Sequence, residues 1–538
     1  MVINPAVCEG CGDCSVASNC VSVRPLATEL GDKREIDQSA CNQDLSCLRG
    51  FCPSFVTLPG AVPRRAAPRD IDADPARGLP CPMPAALDAP YGILVTGVGG
   101  TGVLTIGALL GMAAHLEGKG VTTLDFTGLA QKNGAVMSHV RIARSRDDLH
   151  AVRLAPGGAD LLLACDLVAA GSEAALSRLE RGRTRAVLNT DVAPTAAFLI
   201  DGSGVADAPL LAALKAACDP GDLHPMAASR LATALAGDAI ATNLLMLGCA
   251  FQRGLLPLSL AAIERAIELN GVAVEQSRRV FAWGRVAAHD PDRLASLTAA
   301  RPQVPPVTLD DFIERRARDL EAYQDAAYAQ RYRSLVARVA DAEATRAPGC
   351  SGLAEAAARV LFKLMAYKDE YEVARLYRAP AFREQLAMLF EGDPAAMPIE
   401  FHLAPSWLSR AGTQGSPPAK RRFGRWAWHA FGVLSALKRL RGTSFDPFGY
   451  SVDRRLERAL RDQHVHLLEE VTRTLNPANH ALAVELARLP ERIRGFGHVK
   501  RANAEAIRRE EVELLARYRA AGAATRPTIP VIAQKEPA

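Results

Sequence analysis

No stretch of about 18 uninterrupted apolar residues occurs in the chain, which argues against a membrane-spanning helix. Residues 1–30 also lack a basic n-region, an apolar h-segment and a small-residue cleavage site, so they do not read as a secretory leader. Disulfides suit short secreted chains; without a leader, a reducing cytoplasm is the expected location. An excess of one charge is missing too, with 64 Lys and Arg against 59 Asp and Glu and a net charge of +5. The balance is nonetheless uneven. Residues 401–538 carry 24 Lys and Arg but 13 Asp and Glu, leaving the rest mildly acidic. A basic region of this kind attracts an acidic partner and speeds its arrival. With 538 residues, 49% of them hydrophobic, the chain is long enough for roughly three domains.

Cysteine is concentrated at the start. Cys8-Glu-Gly-Cys11-Gly-Asp-Cys14 is followed by Cys20, Cys41, Cys47 and Cys52, the last preceding Pro53. A CxxCxxC turn brings three thiolates onto one cube, and a distant Cys-Pro supplies the fourth ligand in bacterial ferredoxins. Gly10 and Gly12 suit a loop that wraps a cluster. Structural zinc takes CxxC pairs split by a longer loop, a poorer match. If Cys8, Cys11, Cys14 and Cys52 hold one [4Fe–4S] cube, Cys20, Cys41 and Cys47 remain for a second site. No eighth cysteine lies nearby. Cys81, a non-cysteine ligand or a three-iron cluster would complete that site, or it is absent; two clusters is the preferred expectation.

From about Gly60 to Pro90 a Pro-, Arg-, Ala- and Asp-rich stretch without periodicity reads as a linker. A βαβ unit follows: Tyr91–Gly97 as a buried strand, Gly97-Val-Gly99-Gly100-Thr-Gly102 as the turn into a helix reaching about Leu116, and Val121–Asp125 as the next strand. The glycines match GxGxxG, and Asp125 lies 23 residues beyond the last of them, which admits an NAD or FAD site. The motif alone is weak. Amides exposed at a helix N-terminus suit any phosphate or carboxylate, and glycines also serve structure alone. Cys165 reads as a buried small hydrophobe. The polar segment containing Gln131, Asn133, Ser138, His139 and Arg141 sits where α/β proteins place ligand chemistry. The alternative is a satisfied hydrogen-bond network, favoured for His139.

The order of CEGCGDCSVASNC, linker, GVGGTGV turn and GLAQKNGAVMSHVRI resembles the carboxyl half of the indolepyruvate:ferredoxin oxidoreductases, within the wider 2-oxoacid:ferredoxin oxidoreductases. The resemblance implies an α/β multidomain protein. Its parts are a ferredoxin-like iron–sulfur module at 1–60, a linker at 61–90, a Rossmann-like parallel α/β gamma domain at 91–300 and a mostly helical domain at 301–538. It further implies a thiamine-diphosphate and magnesium-binding partner subunit, an aryl 2-oxoacid substrate, coenzyme A as co-substrate and ferredoxin as electron acceptor, in a cytoplasmic hetero-oligomer. Long fused members place the thiamine region ahead of the cysteines. Here Met1 stands seven residues before Cys8, and no GDG motif with a downstream asparagine is found: Gly221-Asp222, Gly237-Asp238 and Gly392-Asp393 lack the rest. One subunit of a split enzyme is the expectation.

From Thr308 onward recurring apolar positions with charged faces predict helices. Tyr371–Pro380 and Arg494–Arg501 resemble the family's carboxyl-terminal domain but suggest no chemistry of their own. The basic-aromatic run Lys420–His429 invites a nucleic-acid reading, yet solvated helix faces and subunit contacts produce such runs more often. An iron–sulfur oxidoreductase using a dinucleotide at the glycine turn remains the second functional class, and a cysteine-rich binding module with a basic helical tail the third.

Overall fold

The computed structural model describes all residues except 21, 65–73, 128–134, 193–206, 299–307, 405–419 and 524–538. The first 60 residues supply β1 (Val2–Ile3), helix α1 (Asp13–Ser18), the hairpin strands β2 (Val23–Leu26) and β3 (Lys33–Ile36), and β4 (Phe55–Thr57), which runs antiparallel to β1. So short a module has little apolar core of its own: its buried set includes Cys8, Cys14 and Cys47 beside Ile3, Val23, Ile36 and Phe55. Both ends of the stretch that follows are tied down, with Arg64 N–H donating to Leu389 O at 2.7 Å and Ala85 N–H to Leu256 O at 3.0 Å.

The second region is built on six strands: β5 (Tyr91–Val98), β6 (Gly120–Thr127), β7 (Ala135–Ala143), β8 (Leu161–Ala164), β9 (Arg185–Asn189) and β10 (Leu223–Met226). Every residue of β5 is buried, as a central strand covered on both faces requires. Its side chains alternate: Ile93 and Val95 pack under helix α2 (Val103–Leu116) and the helices Thr242–Gln252, Leu260–Asn270 and Val274–His289, while Leu94 faces Leu162, Leu188 and Leu214 opposite. Each such side chain contributes about 1.5–3 kcal/mol.

The sheet order is β10-β9-β8-β5-β7-β6, and β7 runs antiparallel to both β5 and β6. The sheet is therefore mixed rather than wholly parallel. β5 and β6 keep the parallel sense expected of a βαβ unit, but β7 stands between them. A strand buried on both faces carries no polar alternation to announce its neighbour.

The third region is mostly helical, with Leu309–Tyr323, Ala326–Arg346 and Leu353–Met365 packed on Val452–Thr474, His480–Arg488 and Gly497–Ala523. It also holds two short strands, β11 (Glu400–Leu403) and β12 (Arg421–Phe423). β11 pairs with β4, giving a four-stranded sheet β1-β4-β11-β12 shared by the two ends of the chain. Among the described residues no helix is long and apolar enough to cross a membrane.

Candidate functional site

Two groups of thiols form in the cysteine module. Gly10 adopts φ +70°, and a Cβ there would lie 2.0 Å from Asp32 O, so only glycine fits where the Cys8–Cys11 loop turns. Its N–H donates to Cys8 Sγ at 3.3 Å. Gly12, left-handed, begins α1 and sets Cys14 on the first turn. Asp13 Oδ2 accepts from Phe51 N–H at 2.6 Å, tying the Cys52 segment to the same turn. Burial and then Cys52 and Cys8 push the Cys11 thiol up to about 12; Cys14 is pushed well up by burial, Cys52, Cys8 and Cys11. Cys47 is likewise raised to about 12 by burial and by Cys20 and Cys41. The thiols that act on one another are Cys8, Cys11, Cys14 and Cys52 on the one hand and Cys20, Cys41 and Cys47 on the other.

Among the described residues, no three His, Cys, Asp or Glu side chains gather as a single-ion site. Buried thiols that raise one another are disfavoured as thiolates until cationic metal reverses that balance. Beside both groups lies the ammonium of Lys420, whose buried Nζ has no hydrogen-bond partner. Burial pulls its pKa down while Cys52, Cys14 and Cys47 push it back up. An unpartnered cation among thiols fits a site that carries net negative charge when filled.

The helical region encloses the first group. Asp369 caps the helix Glu370–Arg378, accepting from Glu372 N–H at 2.8 Å, and is itself held by Arg441 Nε at 2.5 Å. This fixes Lys368, whose Nζ donates to Cys8 O at 3.1 Å and pairs with Glu9 Oε1 at 2.5 Å, both side chains nearly buried. Burial alone would raise the Glu9 carboxyl, but Lys368, Lys33, Lys500 and Lys363 outweigh it and hold the group below the usual carboxylate range. Tyr377 OH donates to Pro53 O at 2.5 Å, and His498 stacks on Phe51 with ring centroids 5.0 Å apart. Gly495 approaches Cys11. Neither Tyr371–Pro380 nor Arg494–Arg501 disclosed this in sequence, because their partners are more than 300 positions away; their one signal was an unexplained run of Gly, His and Tyr.

The second group faces a cavity of about 820 Å³ at the carboxyl end of β5, β8 and β9. Cys20 and Cys41 line it together with Gly99, Gly100 and Gly102 and with Asp166, Asn189 and Asn243. A Cβ on Gly97 would sit 2.5 Å from Val103 Cγ2, so the turn needs glycine for close packing. Asn243 Nδ2 donates to Thr101 O at 2.8 Å and holds the turn in place. Asn189 Nδ2 donates to Cys165 O at 3.1 Å and to Ser229 Oγ at 2.9 Å. Cys165, buried and raised to about 12 by burial and then Asp166, is a protonated thiol.

Other expected site residues fall elsewhere. Gln131 and Asn133 lie outside the described residues. Ser138, His139 and Arg141 are on β7 and do not line the cavity. Ser138 points toward Gly107 of α2, while His139, on the opposite face, accepts from Leu154 N–H at 3.0 Å and packs on Phe126. Burial and then Arg178 and Arg153 lower His139 to about 4, the behaviour of a satisfied core histidine. Arg141 Nη1 donates to Ala151 O at 2.6 Å. Asp125, on β6, is one strand too far from β5 to serve as the ribose-binding acid of a dinucleotide site, because β7 intervenes. Cys81 is exposed, and Pro80 before it accepts from Gln252, which stands about 13.5 Å along the helix Thr242–Gln252 from Asn243. It does not line the cavity.

A mixed α/β domain thus places its cavity at the strand ends, beside clustered thiols. Residues 92–286 match the pyruvate ferredoxin/flavodoxin oxidoreductase family, and residues 309–513 match a family of unknown function, DUF6537. The chain is 30% identical to indolepyruvate oxidoreductase subunit IorB of Pyrococcus horikoshii over 205 residues, covering 96% of that protein and 37% of this chain. It is 32% identical to IorB of Archaeoglobus fulgidus over 183 residues, 83% of that protein and 32% of this chain. A keto/oxoacid ferredoxin oxidoreductase gamma subunit from Geobacter sulfurreducens aligns with TM-score 0.27 and 22% identity, covering 37% of this chain and 98% of that one. The chain belongs to the indolepyruvate oxidoreductase family of 2-oxoacid:ferredoxin oxidoreductases.

Proposed function

We propose that the chain is the iron–sulfur and gamma subunit of an aryl 2-oxoacid:ferredoxin oxidoreductase, with indolepyruvate as the model substrate. The observation that carries this reading is the placement of Cys20 and Cys41 in one cavity with the glycine turn. Cys8, Cys11, Cys14 and Cys52 would hold one [4Fe–4S] cluster, and Cys20, Cys41 and Cys47 a second. Such clusters supply one-electron transfer at the low potential of ferredoxin. Thiamine diphosphate and magnesium, the electron sink for decarboxylation, belong in this proposal to a partner subunit. The Gly-Asp pairs of this chain have other uses: Asp238, for one, caps a turn by accepting from Ile240 N–H at 2.8 Å.

The residues around the cavity bind and orient. Amides of the Gly97–Gly102 turn at the start of α2 suit an anionic group, such as a phosphate of coenzyme A or a carboxylate at the partner's edge. Asn243 fixes the turn's register through Thr101, and Asn189 fixes the strand ends beside it. The helical region keeps water from the first thiol group. With Asp125 displaced by β7, the dinucleotide alternative loses its second recognition element.

Mixing the anaerobically purified chain with a thiamine-diphosphate subunit is expected to yield coenzyme-A-dependent reduction of viologen by indolepyruvate, and neither protein alone should do so. Gly97→Val should lower turnover in the mixture while iron content holds. Coenzyme-A-dependent activity from this chain alone, or rapid reduction by NADH without a 2-oxoacid, would overturn the proposal.

A further inference from the structure

The basic-aromatic segment that follows residue 419 begins with a lysine that does not face solvent. Lys420 immediately precedes β12, which pairs with β11 as β11 pairs with β4. The shared sheet thus carries a residue from the far end of the chain into the cysteine module. Its Nζ lies 4.5 Å from the centroid of the Phe55 ring, and Phe55 packs in the same buried set as Cys8, Cys14 and Cys47. The nitrogen is buried and makes no hydrogen bond. The ionisable groups acting on it are Cys52 and Cys14 of the first thiol group, Cys47 of the second, and Asp13.

A buried ammonium without a carboxylate or carbonyl partner is costly. Two other interior lysines have partners: Lys500 pairs with Glu457 at 2.7 Å, and Lys363 donates to the carbonyls of Pro490, Glu491 and Ile493. Lys420 differs in having only thiols and an aromatic face beside it. Negative charge at the cysteines would compensate it, and those acting on it belong to both groups.

We propose that Lys420 is a positioning residue: a fixed positive charge, delivered by the carboxyl-terminal domain and shared by both cysteine groups, that raises the reduction potential of the clusters they hold. The inference rests on the iron–sulfur reading above. Reduction adds negative charge to a cluster, so a nearby cation favours the reduced form, and burial lets the interaction act with little screening. It also gives part of the DUF6537 region a role in tuning electron transfer as well as in packing.

The test is an EPR-monitored redox titration of the full-length chain, reconstituted anaerobically, as wild type, Lys420→Met, Lys420→Gln and Lys420→Arg. Arg422→Gln serves as control, since Arg422 is an exposed cation two residues along the same strand. Iron analysis of the wild type comes first, and a wild-type chain that binds no iron would sink the iron–sulfur reading rather than the role of Lys420 within it. With iron loaded, Lys420→Met and Lys420→Gln should lower the reduced-to-oxidised ratio at fixed potential about tenfold for both signals, ~59 mV for a one-electron couple. Lys420→Arg and Arg422→Gln should stay within twofold of wild type. Loss of iron from the Met and Gln variants with retention in Lys420→Arg would equally support a requirement for charge. Unchanged potentials in iron-loaded Lys420→Met, or loss of iron from all three variants including Arg, would overturn the proposal and leave Lys420 a packing residue.

Discussion

Two thiol groups share the first 52 residues and differ in what covers them. Around Cys8, Cys11, Cys14 and Cys52 the helical region supplies Lys368, Tyr377, Gly495 and His498, so the group is enclosed by side chains from hundreds of positions downstream. Cys20 and Cys41 instead line a cavity together with the glycine turn. Enclosure suits a group that must be kept dry and fixed in potential. A cavity wall suits one that must meet a ligand or partner.

The comparison can be broken most severely at Lys368. Lys368→Met leaves the buried Glu9 carboxylate without its closest partner and Cys8 O without a donor. A destabilisation of about 3–5 kcal/mol is expected from losing one member of a buried pair. It should appear as a lower denaturation midpoint with preferential loss of iron from the first group, and equal loss from both groups would contradict the enclosure argument.

Much of this was legible beforehand. Strand β5, the glycine turn and α2 follow from local spacing and short-range periodicity. The position of β7 between β5 and β6 was hidden, because pairing order is set by contacts that two-sided burial does not mark. Hidden too was the use of Lys368 and Lys420. A lysine followed by a helix cap, or one starting a basic run, looks like solvated surface until distant chain packs over it. For His139 the sequence favoured a satisfied hydrogen-bond network, and its ring accepts a buried bond from Leu154.

A smaller change sharpens the same contrast. Tyr377→Phe removes one buried hydrogen bond to Pro53 O and should cost about 1 kcal/mol, with slower iron retention in the first group. Urea unfolding of the apo and loaded forms would measure it; no change in either form would show that the hydroxyl does not hold the Cys52 segment.

The smallest expected effect lies in the α/β domain. His139 there, like His402 on β11 and His464 in the helix Val452–Thr474, is lowered to about 4, chiefly by burial, and stays neutral in the folded chain where the unfolded chain takes up protons. Their contribution is fully present above pH 6.5 and is lost as pH falls toward 4. His139→Gln should remove its share of that slope, as read from urea midpoints across this range; an unchanged slope would mean that His139 charges freely in the fold.

Iron, sulfide and EPR analysis of wild type, Cys11→Ser and Cys41→Ser bears most directly on the division into two groups, because a serine hydroxyl is a poor substitute for a thiolate on iron. Two signals are expected in the wild type, with Cys11→Ser losing one and Cys41→Ser the other. Equal iron in all three proteins, or loss of the same signal from both variants, would contradict the account.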